Sequence, residues 1–246
     1  MSVIRILPTQ QVLRNRSQRP RRGLATLPEL AMYYDALFRA YGPQHWWPSR
    51  TRFEVIVGAI LTQSTNWSNV ELAITALRRK RLLSPVALER VSLRDLSRLI
   101  RASGYFRQKA LKLKAFVKFL RTRYHGSLHR MFAIPTQQLR EQLLAVHGIG
   151  PETADCILLY AGAHPVFVVD AYTRRILQRH QLATEKDSYE EIRKLFEKNL
   201  AGNPSLFNEY HALIVHTGKH FCRKHDPDCE HCALQPFLPA APRVRS

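Results

Sequence analysis

Asp170 ends an apolar run, Val166-Phe167-Val168-Val169, and stands directly ahead of a segment with helical spacing, Ala171 to His180. Asp is a strongly preferred N-cap, so Asp170 is expected to open that helix. A carboxylate there lies against the positive end of the helix dipole, which favours its ionised form. A fixed negative charge of this kind can stabilise a developing cation or activate a water. Taken alone, Asp170 is most simply a cap.

Upstream lies a second arrangement with chemical content. An apolar helix end, Leu143-Leu144-Ala145-Val146, is followed by His147-Gly148-Ile149-Gly150 and then by Pro151. Gly is favoured just past a helix end and Pro at the first helical position. One helix therefore stops and another starts within a few residues, as in a tight αα-hairpin. Gly148 and Gly150 let the backbone turn with positive φ and come close to a partner. The N–H groups opening the second helix then suit a phosphate oxygen.

Two further groups stand out. His45-Trp46-Trp47-Pro48 is a dense aromatic loop, read equally well as a core plug or as the wall of a pocket. Cys222-x6-Cys229-x2-Cys232 has the spacing of a metal or iron–sulfur site, with His216, His220, His225 and His231 close in sequence. Cys156 falls inside a helix face and reads as core.

The elements that must position these groups are helical throughout. Spacing predicts helices over Leu30–Tyr41, Phe53–Thr62, Asn69–Leu82 and Val86–Val91. A start resembling a capping box, Ser92-x-x-Asp95, opens one through Ala102. Others follow over Lys109–Tyr124, Thr136–Val146, Ala171–His180, Ser188–Leu200 and Pro204–Phe221. Lys109, Lys112, Lys114 and Lys118 read as an ordinary solvated face. Strand signal is almost absent. Residues 1–26 carry six Arg and no acid, a flexible basic arm, and 236–246 read as a loose tail.

Composition narrows the partners. Lys and Arg number 38 against 19 Asp and Glu, a formal charge of +19 with a pI near 10.4. Such an excess favours nucleic acid over other partners. No apolar run approaches the length of a membrane span, so no membrane partner is expected. Four cysteines in a chain this long do not suggest a disulfide framework, and a reducing compartment fits better.

The hairpin from His147 to Ala154 followed by Val169-Asp170 resembles the helix-hairpin-helix DNA glycosylases related to endonuclease III. Their hairpin reads (L)-x-G-(V/I)-G-x-x-(T/S)-A, followed by an apolar run and V-D. The likeness extends from about Leu30 to Leu234. It implies an all-α fold with a central lobe over 50–160 carrying the hairpin, a second lobe of 27–49 plus 161–235, and a DNA-binding groove between them. It also implies double-stranded DNA with a damaged base as partner, and hydrolysis of the N-glycosidic bond of an extruded nucleotide.

Within that resemblance Asp170 is the catalytic carboxylate, stabilising charge on the sugar and activating water. His147, Gly148, Ile149, Gly150 and Thr153 fall at DNA-binding hairpin positions. Gln63, in Thr62-Gln63-Ser64-Thr65, matches the residue that enters the duplex in place of the extruded nucleotide. Tyr105 matches a wedge beside the flipped base. The lyase Lys of bifunctional relatives is Glu152 here, and a carboxylate cannot form an imine. A monofunctional glycosylase without lyase activity is the expectation.

Trp46-Trp47, Glu152 and Tyr172 resemble one branch, the endonuclease III-like 3-methyladenine glycosylases. That implies an alkylated purine in a pocket of Trp46, Trp47 and Phe53, its positive charge attracted by aromatic faces. Cys222, Cys229 and Cys232 match three of four ligands of the family's 4Fe–4S cluster, with Leu238 at the fourth position. An incomplete cluster, a His-completed cluster, a Cys3His zinc site and no metal all stand open. Two other functions stand beside the first: an endonuclease III-type glycosylase and lyase for oxidised pyrimidines, and a non-catalytic hairpin DNA-binding protein. Asp170 argues against the latter, since a carboxylate near phosphates does nothing for a pure binder. A monomer in a bacterial cytoplasm, associated with the nucleoid, is expected, with organellar targeting by the basic N-terminus as the alternative.

Overall fold

The computed structural model describes residues 29–47 and 49–239, and among them the fold is all helix with no strand. The basic arm and Pro48 lie outside the described residues. Twelve helices of α type run in chain order: α1 (Glu29–Tyr41), α2 (Arg52–Leu61), α3 (Trp67–Arg79), α4 (Pro85–Arg90), α5 (Leu93–Leu99) and α6 (Phe106–Tyr124). There follow α7 (Leu128–Phe132), α8 (Thr136–Leu144), α9 (Pro151–Cys156), α10 (Ala171–Arg179), α11 (Tyr189–Asn199) and α12 (Pro204–His220).

Side-chain caps set most of the starts. Thr51, Asn66, Ser84, Ser92, Ser127, Asp170, Ser188 and Asn203 each accept a hydrogen bond from a backbone N–H in the first turn of the helix that follows. These bonds satisfy donors that an open helix end leaves unpaired. At Ser188 the bond is reciprocated by Glu191, a full capping box that the sequence reading missed. The helix expected through Ala102 stops at Leu99 and continues as a 3-10 turn, Arg101–Ser103. Helix α6 starts three residues earlier than expected, at Phe106.

Two elements were not foreseen. Helix α7 has only five residues, too short for a periodic signal. After α9 the chain widens into a π-helical turn, Ile157–Ala161. Such turns depend on tertiary context and have no composition of their own. The tail expected from 236 is also partly ordered: Gln235–Phe237 forms a 3-10 turn, and the Phe237 ring lies 4.9 Å from Tyr33.

Helix α2 is the hub. Every residue from Phe53 to Leu61 is buried, and the helix packs on α3, α6, α9 and the π turn. A helix apolar all round belongs inside a core. Helices α4, α5 and α7 pack on α6, while α1 packs on α11 and α12, and α10 on α12. The π turn touches both α2 and α12, bringing the chain just after the hairpin against the C-terminal helices.

The hairpin itself is fastened by charge. Arg140 of α8 donates to both oxygens of Asp155 of α9, at 2.7 and 3.1 Å, with Asp155 fully buried. Arg140 also reaches Glu190 at 2.6 Å, and the Tyr189 hydroxyl donates to Asp155 at 2.9 Å, tying α11 to the same pair. Breaking a buried pair by removing one partner costs about 3–5 kcal/mol, whereas replacing both with apolar groups costs far less. Asp155→Asn should therefore lower the unfolding free energy in urea by about 3–5 kcal/mol, and Asp155→Leu combined with Arg140→Leu should recover a large part of it. Equal losses in the single and double variants would show that the pair is not what fastens α8 to α9.

Candidate active site

Asp170 caps α10 as expected. Its Oδ1 accepts from the Thr173 backbone N–H at 2.7 Å and from the Thr173 hydroxyl at 2.9 Å. Its Oδ2 faces Nε2 of His211, 3.5 Å away on α12. Burial pushes the carboxyl upward, but His211 and the Thr173 bonds outweigh it, and the pKa lies below the ordinary carboxylate value. The group is thus ionised at neutral pH.

Three residues surround it. His211 is buried, and its Nδ1 is bonded to the Tyr160 hydroxyl. Tyr160 belongs to the π turn, and burial, followed by the charges of Cys156 and Asp170, raises its pKa well above that of a free phenol. Glu152, at the start of α9, is open to solvent, yet its pKa is raised by burial and by the Asp170 charge, with His211 offsetting part of the rise. The residue at the lyase position is therefore an acid within electrostatic reach of Asp170. Neither His211 nor Tyr160 was found from sequence. The available signal was a polar residue inside an apolar run, Tyr210-His211-Ala212-Leu213-Ile214-Val215, which more often marks a satisfied core histidine.

The aromatic loop joins this group. Trp47 lies 5.1 Å from Tyr160 and stands edge-on to Trp46 and to Trp67, at 5.8 and 5.0 Å with interplanar angles of 83° and 84°. The Trp46 and Trp67 ring centroids lie 6.4 Å apart, with the rings tilted by 38°. Trp67 opens α3 and was not singled out from sequence. Phe53 does not belong to this group: it is 4 % exposed in the first turn of α2 and packs in the core. Its helical spacing fitted either place, and burial of α2 on all sides decides it. The Lys219 ammonium lies 5.7 Å from the Trp46 ring.

The hairpin turn divides its residues. His147 and Gly150 are exposed, whereas Ile149 and Thr153 are buried, so Ile149 anchors the turn in the core. Gly148 has the expected positive φ, +81°. Gly150 does not: its φ is −93°, because it is the extended residue entering α9. The close approach at Gly148 is made by the Lys112 side chain, whose Cγ would lie 2.3 Å from an added Cβ.

Gln63 is folded onto this turn. Its amide donates to the Gly148 carbonyl at 3.1 Å and to the Thr153 hydroxyl at 2.9 Å, while its oxygen accepts from Lys112. Tyr105 instead projects outward, 73 % exposed in a left-handed conformation at the entry to α6. Lys109 corrects the expectation of a solvated face. It is 1 % exposed and donates to the carbonyls of Leu61 and Ser103, at 2.8 and 2.5 Å. Desolvation and the Lys112 charge bring its pKa down to about 8. Lys114 likewise donates to the carbonyls of Leu88, Glu89 and Val91, and Lys118 remains exposed.

The three C-terminal cysteines line one small cavity of about 20 Å³. Asp228 and His180 also line it, and Leu238 presents no ligand atom. The Arg179 guanidinium donates to the Cys222 sulfur at 3.1 Å. None of His216, His220, His225 and His231 lines this cavity, so the alternative in which one of them completes the site finds no support in the structure. Among the described residues no group of three or more His, Cys, Asp or Glu is arranged to hold a single metal ion, so the donor set does not fit a Cys3His zinc site. Cys156 is partly buried and packs against the core, as expected, with its thiol pushed well up by burial and by Glu152, Asp155 and Asp170.

Residues 57–201 match the family model for the HhH-GPD superfamily of base excision DNA repair proteins. The chain belongs to this family and is a DNA glycosylase of it. A Methanocaldococcus jannaschii protein whose name places it among DNA repair glycosylases is 46% identical over 206 residues, covering 83% of this chain and 93% of its own. Endonuclease III of Sulfolobus acidocaldarius is 26% identical over 192 residues, covering 77% and 82%. Among solved structures, an endonuclease III trapped as a covalent intermediate with DNA superposes with a TM-score of 0.73 at 22% identity, covering 86% and 95%. The H. pylori 3-methyladenine DNA glycosylase bound to 1,N6-ethenoadenine superposes with a TM-score of 0.68 at 27% identity, covering 78% and 96%. Together these bear out the family resemblance and the all-α fold, and they support DNA binding.

The two hairpin glycines should respond differently to substitution. Gly148→Ala must hold a left-handed backbone, at about 1–2 kcal/mol, and must also displace Lys112. Gly150→Ala meets nothing within 4 Å and has an ordinary φ, so its cost should stay within about 0.5 kcal/mol. Thermal unfolding and duplex binding by fluorescence anisotropy read both effects. Equal behaviour of the two variants would contradict this hairpin geometry.

Proposed function

We propose that the chain is a monofunctional glycosylase that releases an alkylated purine, such as 3-methyladenine, from double-stranded DNA, and that it works as a monomer. The observation that carries the substrate is the tryptophan cluster beside the Asp170 group: Trp47 packs edge-on against Trp46 and Trp67 and lies 5.1 Å from Tyr160. Such aromatic faces offer an extruded base a surface to stack on. A cationic base gains a further cation–π attraction of roughly 0.5–2 kcal/mol over a neutral one. The H. pylori glycosylase, bound to a modified adenine in its crystal, supports the same substrate class.

Asp170 supplies the charge for bond breaking. The electron pair of the glycosidic bond leaves with the base, and an already cationic purine departs neutral without needing a proton. The ionised carboxylate stabilises the positive sugar, a water adds its oxygen to the anomeric carbon, and its proton passes to Asp170. Glu152 cannot form an imine with the sugar, so the product is an intact abasic site. Gln63, Tyr105 and the hairpin residues His147, Gly148 and Gly150 are assigned to the DNA side, in a groove between the lobe of α2 to α9 and the lobe of α1 with α10 to α12.

Release of 3-methyladenine should run well ahead of release of uncharged thymine glycol or hypoxanthine. Trp46→Leu or Trp67→Leu should narrow that preference. Asp170→Asn should slow release by about 10²–10⁴-fold without weakening duplex binding. Abasic products should be cut only by alkali, and borohydride should trap no covalent complex. Preference for oxidised pyrimidines together with efficient trapping would favour the endonuclease III-type reading.

Cys222, Cys229 and Cys232 are the residues that would hold a 4Fe–4S cluster, with Leu238 supplying no fourth thiolate. When bound, such a cluster would fasten the C-terminal loop to α10 and α12. Protein purified without oxygen should then be brown and contain iron and acid-labile sulfide. Colourless, iron-free protein would make these cysteines packing residues.

A further inference from the structure

The two oxygens of Asp170 have different partners. Oδ1 is engaged by Thr173, which fixes the start of α10. Oδ2 faces Nε2 of His211 at 3.5 Å, and that buried nitrogen has no hydrogen-bond partner of its own. The opposite ring nitrogen is bonded to the Tyr160 hydroxyl. Glu152 and Cys156, the other titratable groups felt by this carboxylate from the side of α9, are both acidic and offer it no donor in their ionised forms.

The chemistry of Tyr160 selects the form of the ring. Its phenol is buried and stays protonated, so its O–H can donate to Nδ1. The proton of a neutral His211 is then on Nε2 and points at Oδ2. The other tautomer would set a lone pair against a carboxylate, which is repulsive. An imidazolium would also satisfy both contacts, with the Tyr160 oxygen accepting. In each allowed form an N–H faces Asp170, and the neutral form leaves the full negative charge for the sugar. The π turn makes this arrangement, since one inserted residue turns the side chains that follow by about 100°.

We propose that His211, its tautomer set by Tyr160, is the positioning residue that holds Asp170 ionised and oriented for glycosidic cleavage. The inference rests on Asp170 being the catalytic carboxylate. It assigns to α12 and the π turn a direct part in the reaction.

His211→Leu removes the donor at similar bulk, whereas His211→Gln places an amide N–H near the position of Nε2. His211→Asn reaches Tyr160 but falls short of Asp170. Each protein is first checked for folding by thermal melting. The Asp170 carboxyl is then titrated by carbon-detected NMR without substrate, and base release from duplexes methylated with dimethyl sulfate is followed across pH. In the Leu and Asn variants Asp170 should titrate at higher pH than in the wild type. The acid limb of the release profile should move to higher pH together with the Asp170 titration, with about a tenfold loss relative to wild type per unit of displacement at pH values below both titrations. The Gln variant should stay close to wild type, and Tyr160→Phe should fall between. If Leu fails to fold, the Asn and Gln pair makes the same comparison. Identical Asp170 titration in all folded variants, or an equal loss of release at every pH, would overturn the proposal. Wild-type release by Asp170→Asn would instead sink the catalytic reading of Asp170, with the titration still reporting on the pair.

Discussion

The buried ion pair between Arg140 and Asp155 is the constraint on which the site depends. Helix α9 has six residues, far below the length at which a helix stands by its own propensity. It is held by Ile149 in the core on one side and by Arg140 on the other. Glu190 and Tyr189 extend the grip to α11. The π turn follows α9 without a break, and Asp170 comes a short apolar run later. An error in the placement of α9 would therefore reach Glu152, Tyr160 and Asp170 together.

Around that frame the protein works against its own composition. A chain with a formal charge of +19 collects Asp170, Glu152 and the Cys156 thiol in one place. Left alone, such a group would shed charge by protonation. Two hydrogen bonds from Thr173 and the facing His211 keep one member ionised, while Glu152 is the member pushed toward the neutral form. The acidic group is thus a local exception in a basic chain.

Legibility in the sequence followed the range of the contacts. The hairpin, the Asp170 cap and nearly all helices depend on residues a few positions apart, and helix boundaries were read to within a few residues. Trp67, Tyr160 and His211 depend on neighbours far along the chain. Their local setting, an ordinary helix start or an apolar run, resembles many others. Phe53 and Lys109 were misread for a related reason: helical spacing tells which residues share a face, but not whether that face is covered. Gly150 shows a finer limit, since the residue type permits a positive φ without requiring one.

Lys109 links two loops far apart in sequence, one following Leu61 and the other following Ser103. Its ammonium holds the last carbonyl of α2 and the carbonyl of Ser103. Just beyond the first lies Gln63, and just beyond the second lies Tyr105. The two loops therefore share one anchor, a single buried ammonium, and a displacement of either carbonyl pulls on the tether of the other.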